Sequence, residues 1–402
     1  MALKRHEYSA LEDIVGPENI AQEPATIDTY TFYNWAEVLL GSKYMVQPEA
    51  VLLPGSTKEV QAIVKACNRY GLKFKAFSTG FLCAAGVGGE RSIILDVRRM
   101  NRILELNEKD GYAVVEPYVV WRQLQAEAMK VGLNCPIIEA GSECSVLANL
   151  TSGWGMGSKS IYMGHNERNV LGVEWVLPTG EIVRMGSAGS GAGWFCGDGP
   201  GPSLRGIMRG YIGAWGGIGV FTKVGIKLYH WSGPPTWPVR GVTPYYEVDL
   251  PETIHGHMIY FPDWDSLANA AYEIGEAEIA AEFMKGGLTL MAAYVAASNE
   301  ELWRMLAFLY SITKEGPVAA IIIEGHNKRD FDYKEKTLRE ILKKYKGRIL
   351  DTLEHETFQR RAQTQIITTS TASRCAYRPT RAFCSALGGM DTYDLAMSEG
   401  KV

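Results

Sequence analysis

The sequence predicts an α+β protein in two parts, and three observations carry that prediction. From Pro48 to about Leu228 the texture is short β runs broken by glycine, with few helices. After Pro238 apolar β runs and helical segments alternate as β-α-β-α-β-α-β, the pattern of a compact sheet domain. Between the two lies Gly233-Pro234-Pro235-Thr236-Trp237-Pro238, a rigid, linker-like run. The expected organisation is a helical lead-in over residues 1–45, a first domain over 46–235 and a second over 236–402.

In the lead-in, Tyr8–Val15 and Asn34–Leu40 read as helical. Strands are expected near 50–53, 73–77, 92–97, 112–116, 170–177, 181–184 and 219–228. The helix Thr57–Tyr70 opens on Ser56 and Thr57, with Glu59 in its first turn, which is an N-terminal capping pattern. A second helix covers Val120–Val131. Thr179-Gly180 sits between two β runs and predicts a hairpin. Residues 186–217 are rich in glycine, with Trp194, Phe195 and Trp215 interspersed, and read as a long ordered loop. In the second part, strands are expected at 257–261, 288–297, 318–324 and 348–350. Helices are expected at 265–277, 299–313 (capped by Ser298) and 333–345.

The 402 residues are 46% hydrophobic and 21% charged, enough to bury a sizeable core. A net charge of −4 offers no basic face for nucleic acid. No apolar run reaches the length of a membrane helix, and the N-terminus has no apolar signal region. The seven cysteines are scattered with no CxxC pair, which fits reduced thiols in the cytoplasm and excludes an iron–sulfur or structural zinc set; no metal is expected.

The most informative segment is Ser78-Thr79-Gly80-Phe81-Leu82-Cys83-Ala84-Ala85-Gly86. It follows a βα unit that opens at Pro54-Gly55-Ser56-Thr57 and precedes the strand Ser92–Val97. A loop of small residues with free amides, set between strands, can hold a diphosphate. Gly141-Ser142-Glu143-Cys144-Ser145-Val146-Leu147-Ala148-Asn149, Val173–Glu181 and Gly216–Val224 follow in order. Together with Leu11–Ile20, these pieces resemble the vanillyl-alcohol oxidase/p-cresol methylhydroxylase family of FAD-linked oxidases.

The resemblance implies an FAD-binding domain of p-cresol methylhydroxylase type, built of two α+β subdomains, with a ferredoxin-like cap over the flavin. It implies that Phe77, Ser78, Thr79, Gly80, Phe81, Leu82 and Gly86, with Ala140, Gly141, Ser142, Ser145, Val146, Asn149, Ser152 and Gly153, clasp the cofactor. Gly164 and His165 would lie beside the flavin, and Ile218, Gly219 and Val220 near the adenine. In the cap, Arg374, Tyr377, Arg378 and Arg381 crowd into eight residues. Such a cluster binds a carboxylate, phenolate or acyl phosphate, or else is a solvated basic face or a docking surface. His326 either faces the cavity or ends its strand, and the strand end is favoured.

Several departures narrow the resemblance. Relatives that oxidise D-2-hydroxy acids with a metal carry an HxGDGNxH segment, which is missing here. Phenol-oxidising relatives place a tyrosine where this chain has Phe81. The 77–86 loop holds no histidine, and Cys135 reads as a buried structural residue, so FAD is expected to be held non-covalently. The chain ends soon after the cap, so the family's C-terminal return segment is expected to be short or missing: either the chain is truncated or a partner subunit completes the site. The expected function is an FAD-dependent dehydrogenase of a small alcohol, hydroxy acid or aromatic substrate, passing electrons to a separate acceptor protein. The alternative is an FAD electron-transfer subunit of a larger redox complex with no small substrate of its own. A flavin-free structural relative is the third and least favoured reading.

Overall fold

The structure is a computed structural model. It describes residues 3–31, 46–80, 89–137, 142–152, 157–197, 218–241, 247–286, 298–313 and 316–350, with a few single positions besides. The chain divides into two compact units: residues 1–121, 143–155 and 166–227 form the first, and 122–142, 156–165 and 228–402 the second.

The first unit holds two sheets. One runs Ile20–Ala21, Ala50–Leu52, Ser92–Asp96, Lys73–Phe77, its last three strands parallel. The central strand Ser92–Asp96 is buried along its whole length, as a parallel strand covered on both faces must be. The helix Thr57–Tyr70 makes the crossover. Ser56 caps it: its Oγ accepts the Glu59 N–H at 3.2 Å, while Glu59 reaches back to the Gly55 N–H at 2.9 Å. Gly71, at φ +64°, ends it in the left-handed conformation. Ile63 and Cys67 pack toward Leu11 of the N-terminal helix Arg5–Val15. Val60 and Val64 pack on Val176 and Val220 of the second sheet.

That second sheet is antiparallel, in the order Ile103–Asn107, Tyr112–Val115, Val220–Lys227, Val170–Val176, Ile182–Arg184. The Thr179-Gly180 hairpin forms with Gly180 at φ +85° and its N–H on the Leu177 carbonyl at 2.8 Å. Buried Glu174 gathers the strands through Lys223 at 2.8 Å, Arg184 at 2.9 Å and Thr57 at 2.7 Å.

The second unit is built on an antiparallel sheet ordered Ala280–Gly286, Val318–Glu324, Ile254–Tyr260, Arg348–Ile349. With the helices Trp264–Glu276 and Lys328–Lys344 this is the ferredoxin-like arrangement. Both helices share one core with the sheet through Ile259, Phe261, Ile274, Ile321, Leu338 and Leu342. The opposite face packs Ile254 and Ile322 on Trp231, Trp237 and Met129.

One expected strand is corrected. Among residues 288–297, Leu288, Thr289 and Ala292 are helical, and the strand lies instead at Ala280–Gly286. Leu288 and Ala292, four apart, turn onto Leu306 and Leu309 of the helix Asn299–Thr313. A short apolar run without alternation does not distinguish helix from strand by periodicity, and tertiary packing decided it. The last helix also starts earlier than Tyr333, at Lys328, where the Asn327 side chain accepts the Asp330 N–H at 3.0 Å.

Candidate functional site

The residues expected to hold a diphosphate follow the C-terminal end of a parallel strand, the usual place for a ligand in such a sheet. In the first unit, the strand Lys73–Phe77 runs into Ser78-Thr79-Gly80. Gly80 takes φ +67°, and a Cβ there would fall 2.5 Å from the Phe77 ring. That ring is fixed edge-to-face on Tyr30 at 5.2 Å. Tyr30 donates to the fully buried Asp96 at 2.6 Å. Burial first, then the Asp96 hydrogen bond and charge, push the Tyr30 phenol well above its ordinary range and keep it a donor.

Thr79 ties this loop to the second one. Its Oγ1 accepts the Ser145 N–H at 3.2 Å. Ser145 is held on every side. Its Oγ donates to the Pro117 carbonyl at 2.6 Å and accepts the Ala148 N–H at 3.0 Å, while Val146 N–H reaches the Val119 carbonyl at 2.9 Å. In this structure the Ser145 N–H and hydroxyl are both engaged by protein atoms. Asn149, one turn along the helix Val146–Ser152, accepts from buried Asn166 at 2.8 Å. Asn166 carries no signal in the sequence beyond its place in the Gly164-His165-Asn166 run.

The third segment, Ile218-Gly219-Val220, enters the long strand of the second sheet. Gly219 sits at φ +101°, and a Cβ there would lie 2.1 Å from the Val176 carbonyl oxygen. The Ile218 carbonyl accepts the Trp175 indole N–H at 2.5 Å. No side chain other than hydrogen fits at Gly219.

In the second unit, Ser142 is fully buried and its carbonyl accepts the Arg122 N–H at 2.8 Å. Its hydroxyl is buried with no hydrogen-bond partner among the described residues. A buried hydroxyl without a partner is costly unless something completes it, and a ligand oxygen can do so. Gly164 takes φ +71°, and His165 is exposed. His326 is exposed where its strand ends. Its backbone N–H donates to Asp330 at 2.9 Å, and its ring stands 4.7 Å from that of His230. Cys135 is buried, its carbonyl accepting from Lys159 at 3.3 Å.

Phe81, Leu82, Gly86, Ala140, Gly141, Gly153 and the cluster Arg374, Tyr377, Arg378 and Arg381 lie outside the described residues. Of Ser152 only the backbone is described.

Residues 48–186 match the family described as FAD binding domain. Among curated proteins, the chain is 29% identical over 235 residues to a probable mitochondrial D-lactate dehydrogenase of Danio rerio, covering 58% of this chain and 41% of that protein. It is 26% identical over 219 residues to glycolate oxidase subunit GlcD of Bacillus subtilis, covering 54% of this chain and 43% of that one. The chain thus spans about two-fifths of the length of these relatives. Among solved structures, p-cresol methylhydroxylase with substrate bound superposes with a TM-score of 0.65 at 18% identity, covering 91% of this chain and 72% of that chain.

The chain therefore carries an FAD-binding domain of the p-cresol methylhydroxylase type, and its cofactor is FAD. The residues described fit that cofactor on their own terms. In the second unit the buried Ser142 hydroxyl has no partner among the described residues and can pair with a ligand oxygen. Among the described residues no helix is long and apolar enough to cross a membrane.

Proposed function

We propose that this chain is an FAD-dependent dehydrogenase of the vanillyl-alcohol oxidase/p-cresol methylhydroxylase family. It oxidises a small alcohol, hydroxy acid or aromatic substrate and passes the electrons to a separate acceptor protein. The observation that carries this reading is the FAD-binding match over residues 48–186, with Thr79 and Ser145 joining the two loops of that domain.

Bound FAD supplies a two-electron acceptor. The chain's own part is to hold and orient. Residues 77–82, Gly86 and 140–149 grip the diphosphate, with Thr79–Ser145 fixing one loop against the other. Ile218-Gly219-Val220 keeps a close backbone approach that only glycine permits. Gly164, with His165 beside it, belongs to the same cofactor-holding set. Arg374, Arg378 and Arg381 anchor the anionic end of the substrate, and Tyr377 hydrogen-bonds the oxygen that loses its proton. The scattered cysteines favour a reducing compartment, the cytoplasm.

A second reading, an FAD electron-transfer subunit, is favoured by one observation: one relative bears the name of an oxidase subunit. Anaerobic mixing of the flavoprotein with a panel of hydroxy acids, alcohols and phenols separates the two. Bleaching of the flavin band by a small substrate is the expected result. Bleaching only by a protein donor would establish the second reading instead. Arg378→Ala is expected to slow substrate bleaching at least about tenfold, the loss of one charge-assisted anchor. An unchanged rate would remove Arg378 from the site.

A further inference from the structure

In the second unit, the strand Ile254–Tyr260 and the helix Lys328–Lys344 bring together three side chains that the dehydrogenase reading does not use. His255 and His257 stand two apart on the strand, so both project from the same face of the sheet, toward the helix. Glu335 comes from that helix. Its Oε1 lies 2.6 Å from His257 Nε2 and 3.9 Å from His255 Nδ1. One ligand atom from each of the three lies within 4.8 Å of the others. Ligand atoms about 2.1 Å from a tetrahedral ion stand about 3.4 Å from one another, and the separations of 2.6 and 3.9 Å bracket that value.

The surroundings complete the arrangement. His257 is 1% exposed and Glu335 12%, whereas His255 is 43% exposed and opens the cluster to solvent. The other carboxylate oxygen of Glu335 is held by Arg339 at 3.5 Å, which turns Oε1 toward the two histidines. An outer-shell partner of this kind fixes a ligating carboxylate. The two imidazole rings are only 4.5 Å apart, centroid to centroid.

The strand is shaped for this. Gly256, between the histidines, leaves room for Ile366 on the opposite face, where a Cβ would come within 2.6 Å of it. The Gln363 side chain holds the Gly256 backbone, accepting its N–H at 3.0 Å.

We propose that His255, His257 and Glu335 bind one divalent first-row transition ion. Two imidazole nitrogens and one carboxylate oxygen supply the protein ligands and leave the remaining positions to water on the His255 side. The sequence reading expected no metal. The set escaped it because Glu335 stands 78 residues beyond His257 and no short motif joins them.

The test uses the full flavoprotein, stripped with a chelator and titrated with Zn2+ alone against a chromophoric competitor. The expected result is one Zn2+ per chain. Glu335→Gln and His255→Ala should each weaken it at least about tenfold, with circular dichroism and flavin content unchanged. His257 is buried and its replacement risks the fold, so half-exposed His255 carries the decision. The proposal is overturned if the wild-type protein takes up no Zn2+ at micromolar concentration, or if His255→Ala binds it as tightly as wild type.

Discussion

At the scale of single residues, the candidate cofactor site is governed by what cannot be there. Gly219 takes φ +101° with the Val176 carbonyl 2.1 Å from where a Cβ would sit. Alanine at this position meets both a left-handed backbone and a hard backbone atom, so the main chain has to move. Gly219→Ala is expected to lose at least about 2 kcal/mol of stability and to bind FAD more weakly. Thermal unfolding and flavin content of the purified variant measure the two effects; wild-type values for both would show that the turn relaxes freely. The thiols give a second residue-scale expectation. Burial first, and then the charge of Glu143, push the Cys144 thiol up to about 12. It is protonated at neutral pH and a poor nucleophile toward a flavin ring. Acid unfolding is expected to release all the flavin; fluorescence that stays with the denatured polypeptide would mean a covalent bond.

At the scale of elements, the N-terminal helix Arg5–Val15 is locked by one ion pair. Glu7 is 3% exposed and receives two hydrogen bonds at 3.0 Å from Arg91. Arg91 sits at φ +59°, uncommon for a residue with a side chain. It is held there by Glu7, by the Tyr70 carbonyl at 2.8 Å and by its own N–H on Glu49 at 2.9 Å. The Arg91 hydrogen bonds, working against burial, lower the Glu7 carboxyl from 4.5 to about 2. A depressed carboxylate stabilises the fold above its unfolded value and loses that contribution as pH falls. The loss should therefore run from about pH 4.5 down through about pH 2. It amounts to no more than about 3 kcal/mol. Glu7→Gln should be less stable than wild type at pH 7, with the difference closing over that window. Unfolding midpoints at matched pH values decide it, and a constant difference would place the acid sensitivity elsewhere.

Also at this scale, the elements legible in the sequence were those whose determinants are local. Thr57–Tyr70 had its cap, its apolar spacing and Gly71 within one window. Ser92–Asp96 was a plain apolar run. Ala280–Gly286 was missed because Ala, Glu and Lys make a poor strand signal. It is a strand because its neighbour Val318–Glu324 pairs with it over nearly its full length.

At the scale of the whole molecule, each unit has its own sheets and its own cores. The FAD-binding match covers residues 48–186 and takes in parts of both units, while the residues of the proposed metal cluster, 255 to 335, all come later in the chain. This separation gives the metal proposal an independent readout: removing Zn2+ and removing FAD should be separable treatments, each leaving the other's stoichiometry intact.

The sequence by itself determined the α+β class, most strand and helix positions and the small-residue loops that mark an FAD domain. All of these are written in contiguous residues through turn chemistry, capping and periodicity. Only the tertiary structure decided that Thr79 accepts from Ser145, that Gly219 faces Val176 and that two histidines of one strand meet a glutamate of a distant helix. Those contacts depend on how sheets and helices pack, and packing is a property of surfaces brought together from far along the chain.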